Sequence, residues 1–171
     1  MGIFISGDEE RVKFGKGLGD YIEMIRENKK LPADVKERLP DVVSAMSGMD
    51  DVAALYLFGG LAENDVKPLS DLDFGILLSR KLDQGTRLSR HLDLIGLFVD
   101  ILKTDEIDLV LMNDAPLKIA YEILKTGKLL YCNNEIELIN FFEETVKYYL
   151  DFKFFRDNFD AVFLKGIGAH G

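Results

Sequence analysis

Two short apolar runs decide what this chain can build. Val52 to Phe58 is apolar without interruption and ends at Gly59-Gly60. Asp71 to Leu78 starts acidic and turns apolar. Between them lies a polar stretch, Glu63 to Ser70, containing Asn64, Asp65 and Pro68, residue types that make loops. Apolar runs of this length, bounded by such breakers, read as buried strands. A third strand is expected over Glu106–Met112, and a short fourth over Lys128–Tyr131. Helices fit between them. One is predicted over Asp34–Ser47, with Pro32 ahead of it, Asp34 as N-cap and Gly48 as its stop. A second covers Thr86–Leu102, where Leu88, Leu92, Ile95, Phe98, Val99 and Leu102 recur at helical spacing. A third covers Pro116–Lys125 and is stopped by Gly127. From Glu135 a long helix carries Ile136, Ile139, Phe142, Val146, Tyr149 and Phe155 as its apolar stripe. The class is α/β (α+β): a mixed sheet of three to five strands packed with helices, plus a long C-terminal helix. Three segments follow: a lead-in with a helix (1–33), the strand-bearing domain (34–132), and a helical extension with a tail (133–171).

The chain has 171 residues, 47% hydrophobic and 30% charged, which is enough for one domain with a real core. No run approaches the roughly 18–20 apolar residues that cross a bilayer, and the start has no basic, secretory-type leader. A single cysteine, Cys132, allows no internal disulfide and has no metal-site neighbour. A reducing, cytoplasmic setting is the expectation. The net charge of −9, with no dense basic patch, argues against direct binding to nucleic acid. It does not argue against a small nucleotide, whose charge a divalent cation largely neutralises.

Side chains alternate faces along a strand, so Asp71 and Asp73 share one face while Leu72 and Phe74 share the other. Two carboxylates backed by apolar residues are costly unless a cation sits there. Oxygen donors of this kind suit magnesium. Asp108 sits on the polar side of the third strand. If that strand lies beside Asp71–Leu78, three carboxylates converge, a set able to hold metal around a transferring phosphoryl group. Gly59-Gly60, ending a strand before a helical turn, lets the backbone approach a phosphate closely.

The string from Leu57 to Leu77, LFGGLAENDVKPLSDLDFGIL, resembles the nucleotidyltransferase signature: a Gly-Gly or Gly-Ser pair, about ten residues, then Asp-x-Asp. Glu106–Val110 resembles the strand that carries that superfamily's third carboxylate. Ala115-Pro116 through Gly127–Tyr131, followed by an aromatic helix, is similar to the minimal (MNT-type) proteins that pair with HEPN partners. The resemblance spans about residues 52–159. It implies Asp71 and Asp73 as magnesium ligands, Asp108 as ligand or base, and Gly59 and Gly60 as phosphate contacts. Ser70 is either a phosphate donor or a cap for the strand entry. It also implies transfer of AMP from ATP to a hydroxyl, and a HEPN-type toxin tyrosine as acceptor, which would make this chain an antitoxin. A small-molecule acceptor of the aminoglycoside type, and a degenerate fold that neutralises its partner by contact, are the alternatives. The pattern departs from the superfamily in having Gly60 where many members have serine. The segment Leu61–Asn64 also lacks the arginines that usually follow; Lys67 or Lys81 could take their place.

Other features read as structural. Gly15–Gly19 fits neither phosphate-loop spacing and is taken as lead-in. His91, among Arg87, Arg90 and Asp93, reads as a solvated helix residue, and His170 as part of the tail. The aromatics between Tyr148 and Phe163 are too widely spread for one stripe, which points to core packing for half of them and a protein interface for the rest.

Overall fold

The computed structural model describes residues 31–62 and 71–168, with side chains described for 31–60 and 71–158. The chain divides into two units, Met1–Lys30 and Leu31–Gly171, and every element below belongs to the second. The glycine-rich lead-in with its expected helix, the spacer with Lys67 and Ser70, and His170 lie outside the described residues.

The strands are β1 (Val52–Phe58), β2 (Leu72–Leu78), β3 (Ile107–Leu111) and β4 (Lys128–Cys132). The helices are α1 (Val35–Met46), the single turn α2 (Gly59–Ala62), α3 (Gln84–Leu102), α4 (Leu117–Thr126) and α5 (Glu135–Gly168). A 3-10 turn, Met112–Asp114, follows β3. The four strands form one mixed sheet in the order β3-β2-β1-β4. β1 runs antiparallel to both β2 and β4, and β2 runs parallel to β3. The sheet, the element order and the long last helix are those expected from the sequence.

The continuous apolar character of β1 and β2 has a simple cause: both are central and covered on both faces. On one face Leu55, Leu57, Leu72, Phe74, Ile76 and Leu78 pack with α1 and α3. Phe74 meets Phe98 of α3 edge to face, ring centroids 5.1 Å apart. On the other face Ala53, Ala54, Tyr56 and Leu77 pack with Met112 and with Ile123 of α4, joined by Leu138 and Phe141 of α5. Gly75 permits this second layer. A Cβ there would stand 2.8 Å from Ile123 Cγ2, so any side chain would push α4 off the sheet. Gly127 caps α4, donating its N–H to the Ile123 carbonyl, and only glycine fits there because a Cβ would strike that same carbonyl. Asn113 extends β2 without being a strand residue. Its Nδ2 donates to Leu78 O and its Oδ1 accepts from Leu78 N, both at 2.9 Å.

Three local expectations need correction. Asp34 occupies the N-cap position of α1 but its side chain caps nothing. The carboxylate instead takes Arg38 one turn on, at 2.6 Å. α3 begins two residues before Thr86, because Asp83 accepts from both Thr86 N and Thr86 Oγ1 and sets the helix start. Its buried face is Leu94, Phe98 and Leu102, while Leu88 and Leu92 are exposed. The stripe predicted for the last helix is likewise misplaced. Ile136, Ile139, Phe142 and Phe155 are exposed, only Val146 and Tyr149 of the stripe are half-buried, and Leu138 and Phe141 pack against the sheet while Thr145 is buried. Apolar residues surround this helix, so periodicity alone did not select the packed side.

At 34 residues, α5 is about 50 Å long. Its first half is held by the body: Tyr149 stacks on Tyr121 of α4 with ring centroids 3.7 Å apart and 4° between planes. Arg80, just past β2, pairs with Glu144 at 2.6 Å, and Ser79 Oγ donates to Glu137 Oε1. After Tyr149, every described side chain through Asn158 is exposed.

Candidate active site

The antiparallel turn from β1 to β2 and the parallel pairing of β2 with β3 bring three strand ends together. Phe58, the last residue of β1, stands opposite Asp73, and Asp73 stands opposite Asp108. Leu72 and Phe74 point into the α1–α3 layer, so alternation turns Asp73 to the other face. Asp108 makes the same choice, because its neighbour Leu109 is buried in the α1–α3 layer and Val110 packs on the opposite one. Asp71 lies just ahead of β2 and is exposed, as is Asp108, whereas Asp73 is half-buried. Asp73 and Asp108 therefore stand in register at the start of two adjacent parallel strands, with Asp71 just ahead of the first.

The electrostatics follow. Burial raises the Asp73 carboxyl first, and the charges of Asp108 and Asp71 raise it further, to about 6. A group so placed is one for which a cation would relieve both causes. Gly59 closes the site from the β1 side with φ of +69°, a left-handed conformation, and a Cβ on it would collide with Asp73 Oδ2. Glycine is thus required twice over, by its backbone angle and by its contact. Gly60 follows within the same helical turn. Ser70 is outside the described residues.

The donor set fits magnesium by its chemistry: carboxylate oxygens from neighbouring strands, beside a glycine backbone. Among the described residues, no three Asp, Glu, His or Cys side chains are grouped so as to hold a metal ion between them. Magnesium does not demand such a group, since it commonly takes one or two carboxylates and fills its other positions with water and substrate phosphates.

Lys81 does not stand in for the missing arginines. It follows the far end of β2, seven strand residues away from Asp71, which at about 3.3 Å per residue exceeds 20 Å. Lys128 does reach the right end of the sheet, because this exposed residue pairs with Leu57, two positions before Gly59. Its signal in the sequence was only a lysine opening a short strand, and nothing there revealed the register. Gly75 was also missed, although a glycine within a strand pattern is a known sign of close approach. His91 is not solvated. It is half-buried, and its Nε2 bonds the Leu109 carbonyl on the outer edge of β3.

The model of the "Polymerase beta, Nucleotidyltransferase" family matches residues 41–136, which contain all three strand ends and both glycines. The chain belongs to the nucleotidyltransferase family. No curated protein matches it. Several solved structures share the fold. A chain of a toxin–antitoxin pair crystallised with AMP-PNP superposes with a TM-score of 0.56 at 19% identity, covering 74% of this nucleotidyltransferase and 95% of that chain. A chain of the MntA–HepT toxin–antitoxin pair gives 0.54 at 19% identity, covering 74% and 96%. A chain from a complex of tri-AMPylated Shewanella oneidensis HEPN toxin with MNT antitoxin gives 0.54 at 18% identity, also covering 74% and 96%. About a quarter of this nucleotidyltransferase thus has no counterpart in these chains. Among its described residues, no helix is long and apolar enough to cross a membrane.

Proposed function

We propose that this nucleotidyltransferase moves AMP from ATP to a tyrosine hydroxyl of a HEPN-type toxin in the cytoplasm, and so acts as an antitoxin. The observation that carries the reading is the in-register pair Asp73–Asp108 closed by Gly59, a carboxylate site next to a backbone that only glycine can form. Asp71 and Asp73 hold magnesium, and Asp108 shares it or takes the proton of the acceptor hydroxyl. Gly59 and Gly60 let the backbone lie along the triphosphate, with Ser70 as a further donor. Magnesium supplies charge neutralisation on the phosphates when bound. The acceptor oxygen bonds to the α-phosphorus, and the bond from that phosphorus to pyrophosphate breaks. The fold shared with toxin–antitoxin chains, one pair holding AMP-PNP and another a tri-AMPylated toxin, supports the choice of nucleotide and partner.

The test is transfer of labelled AMP from ATP to a co-expressed HEPN-type protein, read by intact mass and by mapping of the labelled tyrosine. Asp71→Asn with Asp73→Asn should abolish the label. If the wild-type chain adds no AMP, the enzymatic reading fails. A second reading, neutralisation by contact alone, is favoured by Gly60 and by the position of Lys81 far from the site. It predicts that the double variant still suppresses toxicity in full. A label found on an aminoglycoside and not on the protein would move the acceptor to the small-molecule class.

A further inference from the structure

One helix holds both strands of the acid pair. Asp73 and Asp108 are partners in register, and so are the next residues along, Phe74 and Leu109. α3 reaches both of these. Its Phe98 meets the Phe74 ring, and its His91 bonds the Leu109 carbonyl through Nε2. A carbonyl only accepts, so Nε2 is the donor. His91 and Phe98 are seven residues apart, close to two helical turns, and so lie on the same side of α3.

The two strands differ in what else fixes them. β2 is paired on both edges, by β1 and by β3. β3 is five residues long and, among the described residues, is paired with β2 alone. Leu72 N donates to Glu106 O at 3.0 Å, so Asp108 also turns its backbone groups to β2, and Leu109 turns its own outward. The outward carbonyl of Leu109 has no strand to bond, and His91 takes it. Among the described residues no other side chain bonds the backbone of β3. One turn before His91, Arg87 donates twice to the Asp114 carboxylate just beyond β3, at 2.7 and 3.0 Å. α3 thus fastens the outer side of β3 at one point beside Asp108 and steadies the turn that follows.

His91 does this from the wall of a cavity of about 580 Å³, lined also by Gln84, Leu88, Leu111 and Pro116. Removing the half-buried ring would widen that cavity and leave the buried stripe of α3, Leu94, Phe98 and Leu102, in place. We propose that His91 is a positioning residue for the carboxylate pair: its bond to Leu109 holds Asp108 at the spacing from Asp73 that a divalent cation needs. This role rests on the reading of Asp73 and Asp108 as the metal-bearing pair. Groups that orient metal-binding side chains from behind typically govern metal affinity or activity by about ten- to a hundredfold. Gly59 and Gly60 follow β1, on the other side of β2, so contacts of the nucleotide with them do not depend on His91.

His91→Ala and His91→Gln in the full chain test this. The amide nitrogen of glutamine stands as many bonds from Cβ as Nε2 does and can donate in its place. For His91→Ala, kcat for AMP transfer should fall about tenfold or more, with KM for ATP and the melting temperature little changed. Hydrogen exchange should quicken in β3 and not in β1 or β4. His91→Gln should restore both kcat and exchange. A histidine with only a structural part would lower the melting temperature and leave kcat alone, or be replaced no better by glutamine than by alanine; either result overturns the role. Manganese binding without ATP, read by electron paramagnetic resonance, keeps the test separate from transfer. If the wild-type chain moves no AMP while His91→Ala still weakens manganese binding about tenfold, the proposed activity fails and the positioning role stands. Equal manganese affinity in wild type and both variants, or none in wild type, overturns it.

Discussion

At the scale of single residues, Asp73 sets a conflict between stability and chemistry. Its carboxyl ionises near 3.8 when free of the fold and near 6 within it. Between those values the unfolded chain gives up the proton more readily than the folded one. Stability is therefore greatest below about pH 4 as far as this group is concerned, and falls as pH rises through 6. Because Asp73 is only half-buried, the cost at neutral pH is on the order of 1 kcal/mol once solvent screening is allowed for. Asp73→Asn should raise the melting temperature of the metal-free protein at pH 7.5, with the gain vanishing at pH 4, while AMP transfer is lost. Calorimetry at the two pH values checks it. A variant less stable than wild type at pH 7.5 would show that the carboxylate is already compensated. The shared face of Asp73 and Asp108 was legible in the sequence, because side chains alternate along a strand. The fit of Gly59 against Asp73 was not, since a positive φ and a contact across two strands leave no trace in spacing.

At the scale of elements, the sheet depends on how closely α4 can lie on β2. Gly75 makes the approach possible, with Ile123 Cγ2 2.8 Å from where a Cβ would be. Gly75→Val should cost about 2–3 kcal/mol by overpacking. It should also displace β2 at Asp73, two residues away, lowering transfer activity together with stability. Urea unfolding and an activity assay on the same preparation would show the two losses in parallel; full stability in the variant would contradict the packing. Strands were read within one or two residues because long apolar runs between breakers have one sensible solution. Helix faces were read less well. The misplaced stripe on α5 and the exposed Leu88 and Leu92 on α3 share a cause: where a helix is apolar on several sides, neighbours choose the face that is buried.

At the scale of the whole molecule, the proposed site predicts how ligands act on the fold. Magnesium with ATP should stabilise the chain by RT ln(1 + [L]/Kd), about 2.7 kcal/mol at a hundredfold excess over Kd. Magnesium alone should do less, and Asp73→Asn should blunt both responses in a thermal-shift titration. A melting temperature unmoved by millimolar magnesium and ATP would remove the metal and nucleotide from the account. Fold class and chain order were open to sequence reasoning, but the parallel pairing of β2 with β3 was only a condition there. It rests on contacts between residues some 35 apart, which local pattern does not encode. Among the described residues the end strands of the sheet are β3 and β4, and β3 turns backbone groups away from β2. His91 occupies one of them, the Leu109 carbonyl. An imidazole clasped to a border strand takes away an attachment point that a stray strand from another molecule would use. The same histidine thus leaves that strand one backbone acceptor fewer to offer to a neighbouring chain.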